Sequence, residues 1–289
     1  MKIIKIIVIY VFFSLSLSMQ IIDLNGNITS FSMMYPNSNI EKNIRGDDKD
    51  NLIGFSFIQL PSDINYKELF HKFKHSDFIF SERIAQLDFG TLFSFDNDNI
   101  QNEFFASEQL IEISAQKKTS SNFSYRVSLG YIFSKIERYS SSLFFYNIGI
   151  NKEFINRGLS FGLSKEKNTK ILNQYSNLGD DYQSQYRLNM KYALQYLPLD
   201  LFLSYIIISP YTKANSNFTL GCDVRFTESL KLFIGKSYHL LNNNIENTLF
   251  HSTALGIAII DSDYKLNIGM QVHNEASIYT GASLIYPFD

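Results

Sequence analysis

A chain of 289 residues is long enough for one large all-β domain or two small ones. Its formal net charge of −2 gives no electrostatic footing for nucleic acid or for an anionic surface, and its single cysteine, Cys222, excludes an internal disulfide framework. Charged residues are sparse at 19% and aromatics reach 15% without one Trp, so an aromatic girdle at a membrane interface falls to Tyr.

Met1-Lys2-Ile3-Ile4-Lys5 is a short basic start. An apolar run over 6–13 and then Ser14-Leu15-Ser16-Leu17-Ser18 follow it. That is the layout of a secretory signal, with cleavage expected near Ser18, and residues 1–18 are assigned to it. No Cys follows the apolar run, which excludes a lipoprotein anchor. Downstream there is no apolar stretch long enough for a spanning helix, so a closed barrel is the way this chain can cross a bilayer.

Residues 19–50 are irregular, with a short strand candidate at 28–35 and a polar run ending in Asp47-Asp48-Lys49-Asp50. From 51 onward strand candidates succeed one another. Residues 51–60 set Ile53, Phe55 and Phe57 against Gly54 and Ser56; 64–74 is a weaker, more charged candidate. Residues 77–95 and 104–117 continue the alternation, with the break 96–103 between them read as a longer loop. In 123–135, Phe123, Tyr125, Val127, Leu129, Tyr131 and Phe133 oppose Ser124, Arg126, Ser128, Gly130 and Ser134. Candidates at 140–154 and 158–166 precede a polar loop expected at 167–181.

The clearest stretch is 182–196. Tyr182, Tyr186, Leu188, Met190, Tyr192, Leu194 and Tyr196 fall on one face; Gln183, Gln185, Arg187, Asn189, Lys191 and Gln195 fall on the other. Six further candidates follow, at 199–209, 218–226, 230–240, 250–260, 264–273 and 277–286, for about 14 strands in all, an even number that suits closure. Pro198 and Pro210 stand near strand ends, where a missing donor costs least.

The polar faces decide between membrane and solution. A soluble sandwich crowds Lys, Glu and Thr outside. Here the polar set is Ser, Gly, Asn and Gln with occasional charges, as in a hydrated or hydrogen-bonded lumen. The clean apolar sets are nearly free of charge, as expected where a charge facing mid-bilayer costs about 2–4 kcal/mol. The expected fold is therefore an all-β, antiparallel up-and-down transmembrane β-barrel over 51–289, in the bacterial outer membrane and surrounded by its lipid.

Asp88-Phe89-Gly90, Phe105-Ala106-Ser107-Glu108, the run from Gly130-Tyr131-Ile132-Phe133-Ser134-Lys135 through Ile136-Glu137-Arg138-Tyr139-Ser140-Ser141, and Leu197-Pro198-Leu199-Asp200-Leu201 carry a resemblance. In these residues the chain resembles the PorQ-type and PorV-type outer-membrane proteins of the FadL-like barrel superfamily. The resemblance implies a 14-stranded barrel. On the PorQ side it implies a part in type IX secretion, with loops docking secretion-machinery or surface proteins. On the FadL side it implies passage of hydrophobic molecules. The family's N-terminal segment that enters the lumen has only Tyr35-Pro36-Asn37 as a counterpart.

No catalytic constellation, cofactor or metal is expected. The five His residues are scattered and no Gly-x-Ser-x-Gly elbow accompanies them. His71 and His75 share a four-residue spacing, but their surroundings are not helical, and they read as exposed strand-end or turn residues. Asp96-Asn97-Asp98-Asn99 with Glu103 lacks the turn Gly and the final Glu of a calcium loop and reads as a polar hairpin loop. Glu112, Arg126, Arg187 and Lys191 stand on expected lumen faces. They are read first as a structural network that stiffens the interior and second as the selectivity lining of a channel. A non-enzymatic docking scaffold is thus the first expectation, a FadL-like or small-solute channel the second, and a soluble secreted β-sandwich that binds a partner the third.

Overall fold

A computed structural model describes residues 51–96, 99–173, 184–208, 216–239, 253–274 and 277–288. The expected signal segment, the irregular stretch 19–50 and the motif at Tyr35 lie outside the described residues. The first half of the barrel is β1 (Asn51–Gln59), β2 (Asn65–His75), β3 (Phe78–Asp96), β4 (Asn99–Lys118), β5 (Phe123–Ile136), β6 (Tyr139–Phe154) and β7 (Leu159–Asn173). The second half is β8 (Gln185–Ala193), β9 (Leu199–Ile208), β10 (Ser216–Thr227), β11 (Leu230–His239), β12 (Thr253–Ile260), β13 (Lys265–Asn274) and β14 (Ser277–Phe288). Each strand pairs antiparallel with its sequence neighbours, and β14 returns to β1 with Asn51 opposite Phe288 and Gln59 opposite Thr280. The sheet closes on itself, so a two-sheet sandwich is not what these strands form. Closure leaves no unpaired edge, a requirement in a medium that cannot hydrogen-bond backbone.

The strand boundaries bear out one weak candidate and correct two expected loops. The weak candidate at 64–74 is a full strand, β2, because its charges divide between faces: Glu68 is buried while Lys67 is exposed. The loops expected at 96–103 and from 167 onward are shorter, since β3 and β4 run on to Asp96 and from Asn99, and β7 continues to Asn173. Polar residues there, such as Asn168 and Thr169, stay in the ladder opposite Tyr146 and Phe145.

The two ends of the barrel differ. Connections at 76–77, 119–122, 155–158, 194–198, 228–229 and 261–264 are short and share one end with Asn51 and Phe288. The other end receives the connections at 60–64, 137–138, 174–184, 209–215, 240–252 and 275–276, and the hairpin β3–β4. Short periplasmic turns and longer external loops are the rule for such barrels, so the strand ends near Asn51 and Phe288 face the periplasm. Beyond its pairing with β2 and β5, the β3–β4 hairpin extends over 89–96 and 99–105 at the outer end.

One motif of the family resemblance has a visible structural cause. Gly90 takes a φ of 67°, the Asp88 carboxylate accepts its N–H at 3.0 Å, and the register between β3 and β4 shifts between Asp88 and Thr91. Asp-Phe-Gly is thus a glycine bulge held by its own aspartate.

Candidate functional site in the barrel interior

Alternation sends an apolar set outward along most of the barrel. Phe55, Ile84, Ile111, Leu129, Ile148, Leu188, Leu201, Ile257, Ile268 and Leu284 are all exposed, forming an apolar belt far larger than a soluble surface carries. Cations lie on aromatics at both rims of the belt. Lys117 stands 5.1 Å from the Phe78 ring and Lys152 4.2 Å from Phe123 at the short-turn end. Arg138, Lys165 and Lys236 stand over Tyr139, Tyr186 and Tyr238 at the other. Rings at the headgroup level with long cationic side chains reaching past them are what a bilayer of this thickness selects.

The inward set is divided. Toward the long-loop end, Ile58, Tyr66, Leu87, Phe89, Leu110, Ile132, Ile136, Leu143 and Phe145 of β1–β6 form one buried apolar cluster. Leu60, Ile64, Leu92, Phe104 and Tyr279 pack partly buried around it. Two glycines make room for this wall: an added Cβ at Gly130 would lie 2.2 Å from the Phe145 ring, and one at Gly54 2.2 Å from the Phe70 ring. Each ring faces its glycine directly across the ladder.

Charges below and beside this wall offset one another. Arg83 of β3 bridges two carboxylates, with Nη2 3.0 Å from Glu112 Oε2 and Nη1 3.7 Å from Glu68 Oε2. The Tyr66 hydroxyl donates to Glu68, and Asn147 Nδ2 donates to Glu112 at 3.5 Å and to Ser128 at 3.0 Å. On β7, Glu166 accepts from Arg187 through Nε at 3.0 Å and Nη2 at 2.8 Å, from Ser164 at 2.6 Å and from Gln185 at 3.0 Å. Near the short-turn end, Lys191 pairs with Asp200 at 3.2 Å and stands 5.0 Å from the Phe202 ring. Lys118 pairs there with Glu153 at 2.6 Å.

Of the four residues singled out from sequence, Glu112, Arg187 and Lys191 therefore sit in three separate ion pairs rather than in one constellation. Arg126 is half-buried on β5, opposite Gln116 and Gly149. Sequence reasoning missed Glu68, Arg83, Glu166 and Asp200. Arg83 and Glu112 are direct cross-strand partners, a relation that strand register creates and that alternation alone cannot show. Glu166 was hidden because its strand was expected to stop there.

The other candidates stay apart from this interior. His71 lies within β2, stacked on Phe73 and Phe288 at ring distances of 5.1 and 5.8 Å, rather than at a strand end. Among the described residues no group of three or more His, Cys, Asp or Glu is placed to hold a metal. Asn97 and Asp98 of the calcium-like run lie outside the described residues. Cys222 is half-buried on β10, opposite Ile234 and Leu201.

A closed fourteen-strand antiparallel barrel with an apolar outer belt and a polar, ion-paired interior is a bacterial outer-membrane β-barrel protein. Its fold is similar to that of the Pseudomonas putida toluene transporter TodX. One crystal structure of TodX matches at a TM-score of 0.58 with 8% identity, covering 82% of this chain and 88% of that one. A TodX deletion mutant described as a monoaromatic hydrocarbon channel matches at a TM-score of 0.56 with 9% identity over 82% and 89%. At such identities the likeness is one of fold. No protein-family model matches the chain, and no curated protein matches it in sequence.

Proposed function

We propose that this protein is a FadL-like outer-membrane channel for small, uncharged, mainly apolar molecules. The carrying observation is the interior wall of β1–β6: a contiguous apolar cluster toward the external end, rimmed by Leu60, Ile64, Leu92, Phe104 and Tyr279. An apolar solute would gain free energy on the partly buried rim of Leu60, Ile64, Leu92, Phe104 and Tyr279, which the fully buried cluster holds in place. The ion pairs of Arg83, Arg187 and Lys191 leave little net field to draw ions, and the shared fold with a toluene transporter supports the same reading. Uptake of radiolabelled toluene by cells making the protein tests it. Uptake should exceed that of cells with an empty vector and fall in Leu143→Gln. Uptake equal to the empty vector sinks the reading.

A docking role of the PorQ type is the second reading, favoured by the projecting β3–β4 hairpin. Phe105 on it is 65% exposed, beside a cleft lined by Lys135, Glu137 and Arg138. A photo-crosslinking residue in place of Phe105 should then capture a secreted surface protein in intact cells. Capture of lipid alone counts against docking.

A further inference from the structure

The outer face of the barrel carries a cleft that passage through the lumen does not use. It lies where the β3–β4 hairpin rises past the tight turn between β5 and β6, and it encloses about 540 Å³, within the range of small-ligand clefts. Glu103, Phe105 and Ser107 line it from β4; Lys135, Glu137 and Arg138 line it from β5 and the turn. The Glu137 N–H donates to the Phe105 carbonyl at 3.0 Å, which pins the turn to the stem of the hairpin.

The position of the cleft decides what lies against it. Lys135 ends the outward set of β5, after Leu129, Tyr131 and Phe133, and stands opposite Ser107 of β4. Phe105, 65% exposed, continues along β4 the face that Ile111 and Ile113 present to lipid. The cleft is thus continuous with the outer edge of the apolar belt, at the level of the headgroups of the external leaflet. A lipid whose acyl chains lie on the belt places its headgroup there.

The charges are ordered outward from the belt. Lys135 is nearest to it. Glu137 follows two residues, about 7 Å, beyond, and Glu103 lies farther out on β4. Arg138 bends back: its guanidinium is 5.3 Å from the Tyr139 ring and donates to the Tyr139 hydroxyl at 3.2 Å, so its charge stays at the rim. Cations at the rim with carboxylates beyond them match a headgroup that carries a phosphate first and an ammonium at its tip. A headgroup with a phosphate alone would set its charge beside two carboxylates, and a choline has no N–H to donate to them. We infer that the cleft seats the headgroup of a phosphoethanolamine lipid of the external leaflet. The inference rests on the barrel lying in the bilayer and not on what passes through it.

Native mass spectrometry of the protein purified from outer membranes tests the cleft. The micelles carry equal amounts of dioleoyl phosphatidylethanolamine, phosphatidylglycerol and phosphatidylcholine as probes. Retained phosphatidylethanolamine should exceed each of the others. It should fall about threefold in Lys135→Gln and in Glu137→Gln, the loss expected for one exposed ion pair, while phosphatidylglycerol should fall in Lys135→Gln alone. Each variant is first checked for a band that shifts on heating; if one fails to fold, the other and the contrast between lipids still decide. Equal retention of the three lipids means that they coat the belt without a headgroup site, and overturns the proposal. Phosphatidylglycerol retained above phosphatidylethanolamine, or unchanged retention in the folded variants, overturns it as well. So does a photo-crosslinking residue at Phe105 that captures a second copy or another protein and no lipid. Lys135→Gln leaves the lumen intact and should leave toluene uptake unchanged, so the lipid site and the channel fail separately.

Discussion

Arg83→Met isolates the guanidinium that joins two carboxylates across β2, β3 and β4. In the folded barrel it stands 3.0 Å from Glu112 and 3.7 Å from Glu68, whose side chains are only 11% and 3% exposed. Methionine preserves much of the stem but removes the positive charge, so two buried carboxylates are left with neutral donors such as the Tyr66 hydroxyl and the Asn147 amide. Stranding a buried charge in this way costs about 3–5 kcal/mol. With a urea slope of about 2 kcal/mol per molar, the unfolding midpoint should fall by about 2 M. The assay is equilibrium unfolding in lipid vesicles, read as loss of the heat-shifted band on gels. Adding Glu112→Gln removes one stranded charge and should restore a substantial part of the loss. A cost below about 1 kcal/mol, the level of an exposed pair, would refute the reasoning. So would a double variant no more stable than Arg83→Met alone, because the carboxylates would then be solvated within the lumen.

Other consequences are as direct. Leu129→Arg places a cation on the lipid face midway along β5 and should cost about 2–4 kcal/mol in the same vesicle assay. Gly130→Ala drives a methyl into the Phe145 ring and should cost about 1–3 kcal/mol; combining it with Phe145→Leu should recover most of that by vacating the space. Orientation is checked by cysteine labelling in a Cys222→Ser background. A membrane-impermeant maleimide should label Arg138→Cys on intact cells and label Ser262→Cys only after the outer membrane is opened. The reverse pattern would invert the barrel.

Alternation along 123–135 and 182–196, the neutral small residues on their polar faces and the even number of candidates were enough to read a closed transmembrane barrel. They suffice because side-chain direction in a strand repeats every two residues and depends only on local backbone. Strand ends were less legible: Asn168 and Asp96 look like loop residues, yet the ladder continues through them. The interior was legible only as a set of inward charges. Glu112, Arg187 and Lys191 could be placed on a polar face, but their partners Arg83, Glu166 and Asp200 could not be assigned to them. Which residue meets which across a ladder is set by register, and register is fixed by turn lengths, bulges such as that at Gly90, and closure of β14 on β1. The division of the lumen into an apolar wall on β1–β6 and a polar row on β6–β9 has the same origin. Sequence placed Arg187, Asn189 and Lys191 on a polar, inward face; that Leu87, Phe89 and Phe145 also turn inward, and which side chains share a wall, only closure decided, because that depends on contacts between residues far apart in the chain.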